Sequence, residues 1–327
     1  MSFGVVFGLT AALCWGVADF FARSATRSGG TFRTLLSIQI IATVTLLAVA
    51  MPLGLLHLTN LRPGPTLVAA LLGLIILSGA GLLYRAFAIG TLAIVSPIAA
   101  SYAAITALLA MLLSREQPRL PQLIGIICTL GGVILASAVS NNPPGDHAGT
   151  PSLPVGNPAK RPSKAPLSLA PGLPEALLSM LLFGVAYWAL RFVVADLGGV
   201  TVAFIAKASD LIALLLLTLA VALLQRHSSR RTPAHSATLS PLPTQPAASR
   251  WNIFLLAVIP TALLDTAANI AYNLGIAGSL TSIVAVISSL FSAVTVLLAW
   301  IFLRERLSRW QWVGTIAIFL GIALVSI

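Results

Sequence analysis

The chain has 327 residues, of which 58% are hydrophobic and only 8% charged, and its mean hydropathy is +0.99. Soluble domains carry roughly 25% charged residues, so this composition excludes a water-soluble globule, a disordered chain, collagen and a coiled coil, and points to an integral membrane protein. The net charge of +11 does not indicate a nucleic-acid partner, because 16 of the 19 basic residues are arginines scattered singly or in pairs between apolar runs; they read as charges that orient a membrane chain.

Taken in chain order, the apolar runs predict helices near residues 4–22, 34–57, 66–88, 92–113 and 121–139, and then near 174–195, 200–225, 252–275, 279–303 and 310–327. Each is about the ~20 residues that a ~30 Å bilayer core requires, and none alternates as a barrel strand would. No basic segment precedes the first run and a close echo of it recurs in mid-chain, so it is expected to be a retained helix rather than a cleaved signal. Between the runs lie a Pro-rich polar linker, 140–171, with 8 of the 20 prolines, and a polar loop, 227–250, with 4 more; neither can bury enough apolar surface to offset its ordering entropy. Cys14 and Cys128 sit inside apolar runs without a CxxC or Cys/His spacing, so neither a metal site nor a cofactor is expected.

The chain repeats itself. Adding 189 to each number from 94 to 138 gives an ungapped alignment with 283–327 in which 16 of 45 positions are identical, including Arg115/Arg304, Glu116/Glu305, Gln122/Gln311, Gly125/Gly314 and Gly132/Gly321. A second echo, GVADFFAR at 16–23 against GVAYWALR at 184–191, has an offset of 168. Residues 1–139 therefore form one repeat and 172–327 the other, and five crossings per repeat force the second to enter the membrane upside down. The expected fold is an all-α integral membrane protein of ten transmembrane helices, arranged as two inverted-topology five-helix repeats.

Through the stretch AVTVLLAWIFLRERLSRWQWVGTIAIFLGIALV at 293–325, the two Arg-Glu junctions at Glu116 and Glu305 with their following glycines, and the Trp-Gly pair at 15–16, the sequence resembles the EamA-type branch of the drug/metabolite transporter superfamily. The resemblance covers nearly all of the chain outside the linkers. It implies ten helices and transport of small organic solutes, commonly as an exporter, and with the Ala-rich, Arg-over-Lys composition it points to a bacterial plasma membrane. Where the family pattern carries a proline thirteen residues before each glutamate, this chain has Ala103 and Ser292. Pro97 is expected to bend the helix in the first repeat, and no proline does so in the second.

Charges within a bilayer are costly, so each is a candidate site residue. Thr261, Asp265, Asn269 and Tyr272 fall at i, i+4, i+8 and i+11, within about 40° of one direction on a helical wheel; they are expected to line a substrate cavity or else to pack helices together. Pro260 beside them leaves the Leu256 carbonyl without its usual partner and is a candidate hinge, as is Pro97. Asp19 follows Trp15 by one turn, and its equivalent in the second repeat is Tyr187, next to Trp188; these aromatics are candidates to hold the apolar body of a ligand. Lys207 and Asp210, at i and i+3, can neutralise each other or meet substrate. Arg85 is expected to snorkel, Glu116 and Glu305 to form ion pairs beside their arginines, and the spaced glycines to give helices five and ten a smooth packing side that can also serve a homodimer.

These residues predict a secondary transporter, with Asp265 and Asp19 as candidates for proton coupling, since a proton and a cationic or zwitterionic substrate can compete for one carboxylate. An intramembrane aspartyl enzyme using Asp19 with Asp210 or Asp265 is disfavoured, because no GxGD, GxSxG or HExxH motif occurs and catalysis gives no reason for a repeat. A scaffold or a carrier of lipid-linked groups is the remaining alternative; the carrier predicts basic residues in the cavity, where Lys207 is the one candidate. Counting Lys and Arg by loop sets 13 against 4, which places both termini outside by the positive-inside rule, whereas the resemblance implies both inside.

Overall fold

A computed structural model describes residues 3–117, 119–136, 171–229, 247–303 and 309–325. Among them there are helices and turns and no strand. The first half comprises α1 (Phe3–Gly29), α2 (Thr31–Thr45, continued by a π-helical turn, Leu46–Ala50), α3 (Pro63–Ile89), α4 (Leu92–Ala100), α5 (Tyr102–Leu112) and α6 (Leu120–Ala136). The second comprises α7 (Leu173–Leu197), α8 (Gly199–Ser229), α9 (Ala247–Gly278), α10 (Thr281–Ser288), α11 (Phe291–Leu298, continued by a π-helical turn, Ala299–Leu303) and α12 (Arg309–Val325).

Among the described residues, eight helical segments are long and apolar enough to cross a membrane, with α4–α5 counted as one and α10–α11 as another. The sequence predicts ten; the other two, α6 and α12, are 17-residue helices, at the short end of what spans a bilayer. Helix α1 runs seven residues past its predicted end. Arg23, where the apolar run seemed to stop, is buried inside the bundle, and the helix ends instead at Gly30, whose φ of +82° an L side chain resists. Gly198 breaks the chain between α7 and α8 in the same way, with a φ of +80°. Most of both predicted linkers, and Glu305 with its neighbouring arginines, lie outside the described residues.

The packing is reciprocal between the halves. α1 packs on α9 and α7 on α3; α5 packs on α7 and α11 on α1; α4 meets α11 and α10 meets α5; α6 and α12 pack on each other. The reciprocity reaches single atoms. Thr106 Oγ1 donates to the Gly184 carbonyl at 2.9 Å, and Thr295 Oγ1, 189 residues on, donates to the Gly16 carbonyl at 3.1 Å. Gly16 lies against Val294 and its echo Gly184 against Ile105, contacts too close for a Cβ on either glycine. The glycines Gly125, Gly132, Gly314 and Gly321 are all buried, as a close approach of α6 and α12 requires.

Both halves contain a helix break at the same place in the repeat, between α4 and α5 at Ser101 and between α10 and α11 at Ser289–Leu290. The absence of a proline in the second half therefore does not keep that helix straight. Ser288 and Ser289 each donate a hydroxyl back to the carbonyl three residues earlier, at 2.9 and 2.7 Å, and Ser101 donates to that of Pro97, four residues earlier, at 2.8 Å; such back-bonding competes with the helical ladder and bends it. The two breaks meet, and the Tyr102 hydroxyl shares a hydrogen bond with Ser288 Oγ at 2.8 Å. Pro260, by contrast, sits inside α9 without interrupting it.

Candidate functional site

A cavity lies where the two halves meet, lined by side chains of α1, α2, α3, α5, α7, α8, α9 and α11. It is narrow, about 50 Å³, whereas pockets that bind small molecules run to roughly 300–1,000 Å³; a solute of metabolite size enters only if the helices part. Its polar lining is Asp19, Gln39, Lys207, Asp210 and Asp265, and Trp15, Tyr84, Tyr102 and Tyr187 lead the aromatic lining.

Asp265 gathers donors from three helices. Lys207 Nζ on α8 donates to Oδ2 at 2.6 Å, Trp15 Nε1 on α1 donates to Oδ1 at 3.2 Å, and Asn269 Nδ2, one turn along α9, donates to Oδ1 at 3.1 Å. The side chains of Lys207 and Asp265 are 8% and 17% exposed, so the pair sits in a medium where the mutual attraction must offset a desolvation cost of several kcal/mol per ion. By its spacing Lys207 can neutralise Asp210 or meet substrate; the structure corrects the pairing, since Lys207 turns instead to Asp265, and Asp210 Oδ2 accepts from Gln39 Nε2 at 3.1 Å. A partner three residues along the same helix is only one of the options open to a side chain as long as lysine, and the pair across two helices won.

Three acceptors on the cavity wall have no hydrogen-bond partner: Asp19 Oδ2, Asp210 Oδ1 and Gln39 Oε1. Their residues are 6%, 2% and 3% exposed. Buried polar atoms are almost always satisfied, and these three orphaned acceptors belong to residues that line one cavity.

The other predicted residues separate into two groups. Trp15 and Tyr187 reach the cavity and touch each other edge-on, with centroids 5.4 Å apart. Tyr272 packs behind them, 5.8 Å from Trp15 and 4.8 Å from Tyr187, with its hydroxyl donating to the Tyr187 carbonyl at 3.4 Å. Asn269 lines a smaller adjoining cavity with Lys207, Asp210 and Asn273. Thr261 is spent on helix packing, donating to the Ala257 carbonyl at 2.8 Å and to Ala18 of α1 at 3.5 Å. Trp188 points away toward Ser114, whose Oγ accepts from its Nε1 at 2.9 Å. Arg85, with its side chain 68% exposed, makes a 3.3 Å pair with Glu175.

Gln39, Tyr84 and Tyr102 were not singled out from sequence, which weighed charges in the spans but not amides or aromatics of the second, third and fourth runs. Gln39 carries a readable signal: it is a lone amide in the run LLSIQIIATV, subject to the same cost as a charge, at smaller size. It is also the repeat equivalent of Lys207, at the offset of 168 that relates Gly30 to Gly198. Among the described residues no group of three or more His, Cys, Asp or Glu is disposed to hold a metal ion.

Residues 2–138 and 170–327 match the model of the EamA-like transporter family. The chain belongs to that family. Membership makes it a multi-pass membrane transporter of the drug/metabolite kind and points to transport rather than catalysis. An uncharacterized protein of Methanocaldococcus jannaschii is 29% identical over 141 residues, which is all of that protein and 43% of this chain. A protein of known crystal structure shares this fold over 99% of this chain and 98% of its own, with a TM-score of 0.65 and 17% identity.

Proposed function

We propose that this chain is a secondary transporter, in the plasma membrane of a bacterium, that exports a small organic solute by alternating access. The observation that carries the reading is the narrow cavity between the halves, walled by Asp19, Asp210 and Asp265 and too small for a metabolite as it stands. A pair of five-helix halves in opposite orientation gives such a cavity two exits by one rocking motion. The reciprocal packing and the matching helix breaks support that duplication, as does a relative whose full length matches only 43% of this chain.

Substrate meets Asp265 with Trp15 and Tyr187 around it, and the helices part to admit it. Asp265 exchanges Lys207, substrate or a proton as its partner, so the movement of solute is coupled to protons, with Asp19 as the second carboxylate on the path. The test is exchange in proteoliposomes loaded with a labelled metabolite extract. Asp265→Asn is expected to abolish exchange driven by a pH gradient while the protein still accumulates in the membrane; unchanged exchange removes Asp265 from the path.

A further inference from the structure

The cavity's chemistry is one-sided, and this narrows the solute. Every orphaned side-chain atom on its wall is an acceptor: Asp19 Oδ2, Asp210 Oδ1 and Gln39 Oε1. An anionic solute meets three carboxylates and a single ammonium that is already engaged at 2.6 Å. A neutral apolar solute leaves the acceptors unpaired, at a cost for each. A primary ammonium, with three N–H donors, or a guanidinium, with five, supplies what is missing through charge-assisted bonds. The rings of Trp15, Tyr84, Tyr187 and Phe291 on the same wall favour a cation by their faces and an apolar body by their area.

Lys207 is itself such a cation, tethered in place. Its Nζ holds Asp265, and one turn along α8 stands Asp210 with an oxygen that nothing satisfies. Residues at i and i+3 on a helix are within reach of each other, so the ammonium has a second resting place without leaving the cavity.

We propose that the cavity takes a primary ammonium or guanidinium on an apolar body, and that this cation takes the place of Lys207 on Asp265 while Lys207 turns to Asp210. This rests on the transport reading above and adds the class of solute and the rival it displaces. The lysine thus acts as a built-in competitor, which keeps Asp265 from standing as an unpaired buried charge when the site is empty of solute.

The test is calorimetric titration of the purified full chain in lipid nanodiscs at neutral pH with three probes of one shape: 2-phenylethylamine, 2-phenylethanol and 3-phenylpropanoate. The amine is expected to bind at least about tenfold more tightly than either of the others, the worth of one charge-assisted hydrogen bond over a neutral one. The alcohol or the acid binding as well as the amine, or no binding of the amine, overturns the assignment of class. Lys207→Gln keeps a donor for Asp265 without the charge, and is expected to bind the amine about fivefold or more tightly than the parent; equal or weaker binding overturns the displacement. Asp210→Asn removes the second resting place and is expected to weaken the amine about threefold or more, which keeps the displacement testable if Lys207→Gln does not fold. Exchange of the metabolite extract is measured beside these titrations: if it persists while the amine fails to bind, only the class of solute falls, and if it is absent, the transport reading falls.

Discussion

Removing the Glu116 carboxylate should loosen the first turn of α10. The side chain is 4% exposed and accepts four hydrogen bonds: from Arg191 Nη1 at 2.5 Å, from the backbone N–H groups of Thr281 and Ser282 at 3.2 Å each, and from Ser282 Oγ at 2.6 Å. It thus caps a helix N-terminus from another part of the chain, where the first amides have no intrahelical acceptor and the dipole favours an anion. Arg191 is 31% exposed, so its share is screened and small. The two amides and the hydroxyl are the larger part, and Glu116→Ala leaves all three without their acceptor in a buried site. Losing one partner of a buried charged cluster costs about 3–5 kcal/mol. At about 1.4 kcal/mol per decade, the lower figure makes opening of that turn about 100-fold more frequent. Glu116→Gln retains a carbonyl acceptor without the charge and should give about tenfold. Hydrogen exchange read by mass spectrometry on the peptide spanning Thr281 and Ser282 measures this directly, with a peptide of α3 as the internal standard. The expected order is Ala fastest, then Gln, then parent, and an Ala variant that exchanges within twofold of the parent refutes the cap.

Three further outcomes follow from contacts of different kinds. Gly16→Ala places a Cβ 2.7 Å from the Phe291 carbonyl oxygen, a backbone atom that cannot swing aside, so a loss of about 1–3 kcal/mol should show as a lower melting temperature in detergent. Arg85→Ala should leave that temperature within a degree or two of the parent, because the pair with Glu175 is 68% exposed on the arginine side and such pairs contribute little. Trp188→Phe removes a single 2.9 Å hydrogen bond to Ser114 and should leave exchange in proteoliposomes unchanged; a loss as large as that expected for Asp265→Asn would place Trp188 on the solute path.

What the sequence made legible and what it hid divide along physical lines. Asp265, Lys207, Asp210 and Asp19 were found because a charge in an apolar run is costly wherever it points, and all four line one cavity. Their partners were not found. Lys207 could be matched by spacing only to Asp210, whereas Asp265 comes near it through the packing of α8 on α9. Glu116 read as an ion pair with an adjacent arginine; its partner is Arg191, and its capping of α10 depends on a contact 165 residues away in sequence. On α9 the polar stripe is real as a face, but at one end Thr261 is used by α1 and at the other Tyr272 is buried behind Tyr187, because a helical wheel gives direction and not depth. The repeat carried most of the fold: it implies the second helix break, which a search for proline misses.

The duplication also shows where the chemistry is not duplicated. Gln39 and Lys207 hold equivalent places on α2 and α8, and the turn of α3 that corresponds to Asp265 on α9 carries Ile76 and Leu77. The threonine-to-carbonyl bonds, the glycine contacts and the helix breaks occur twice, while the ammonium–carboxylate pair occurs once. On the transport reading proposed above, a rocking pair of halves needs matched surfaces wherever they slide, and the repeats agree at such contacts. A binding site between the halves would have no such need, since one solute would occupy it at a time. A second ion pair across the cavity would place two more charges in a low-dielectric space of about 50 Å³, at a desolvation cost of several kcal/mol for each. Gln39 supplies the compromise at that position, an uncharged amide that donates to one oxygen of Asp210 at 3.1 Å and leaves its own oxygen without a partner.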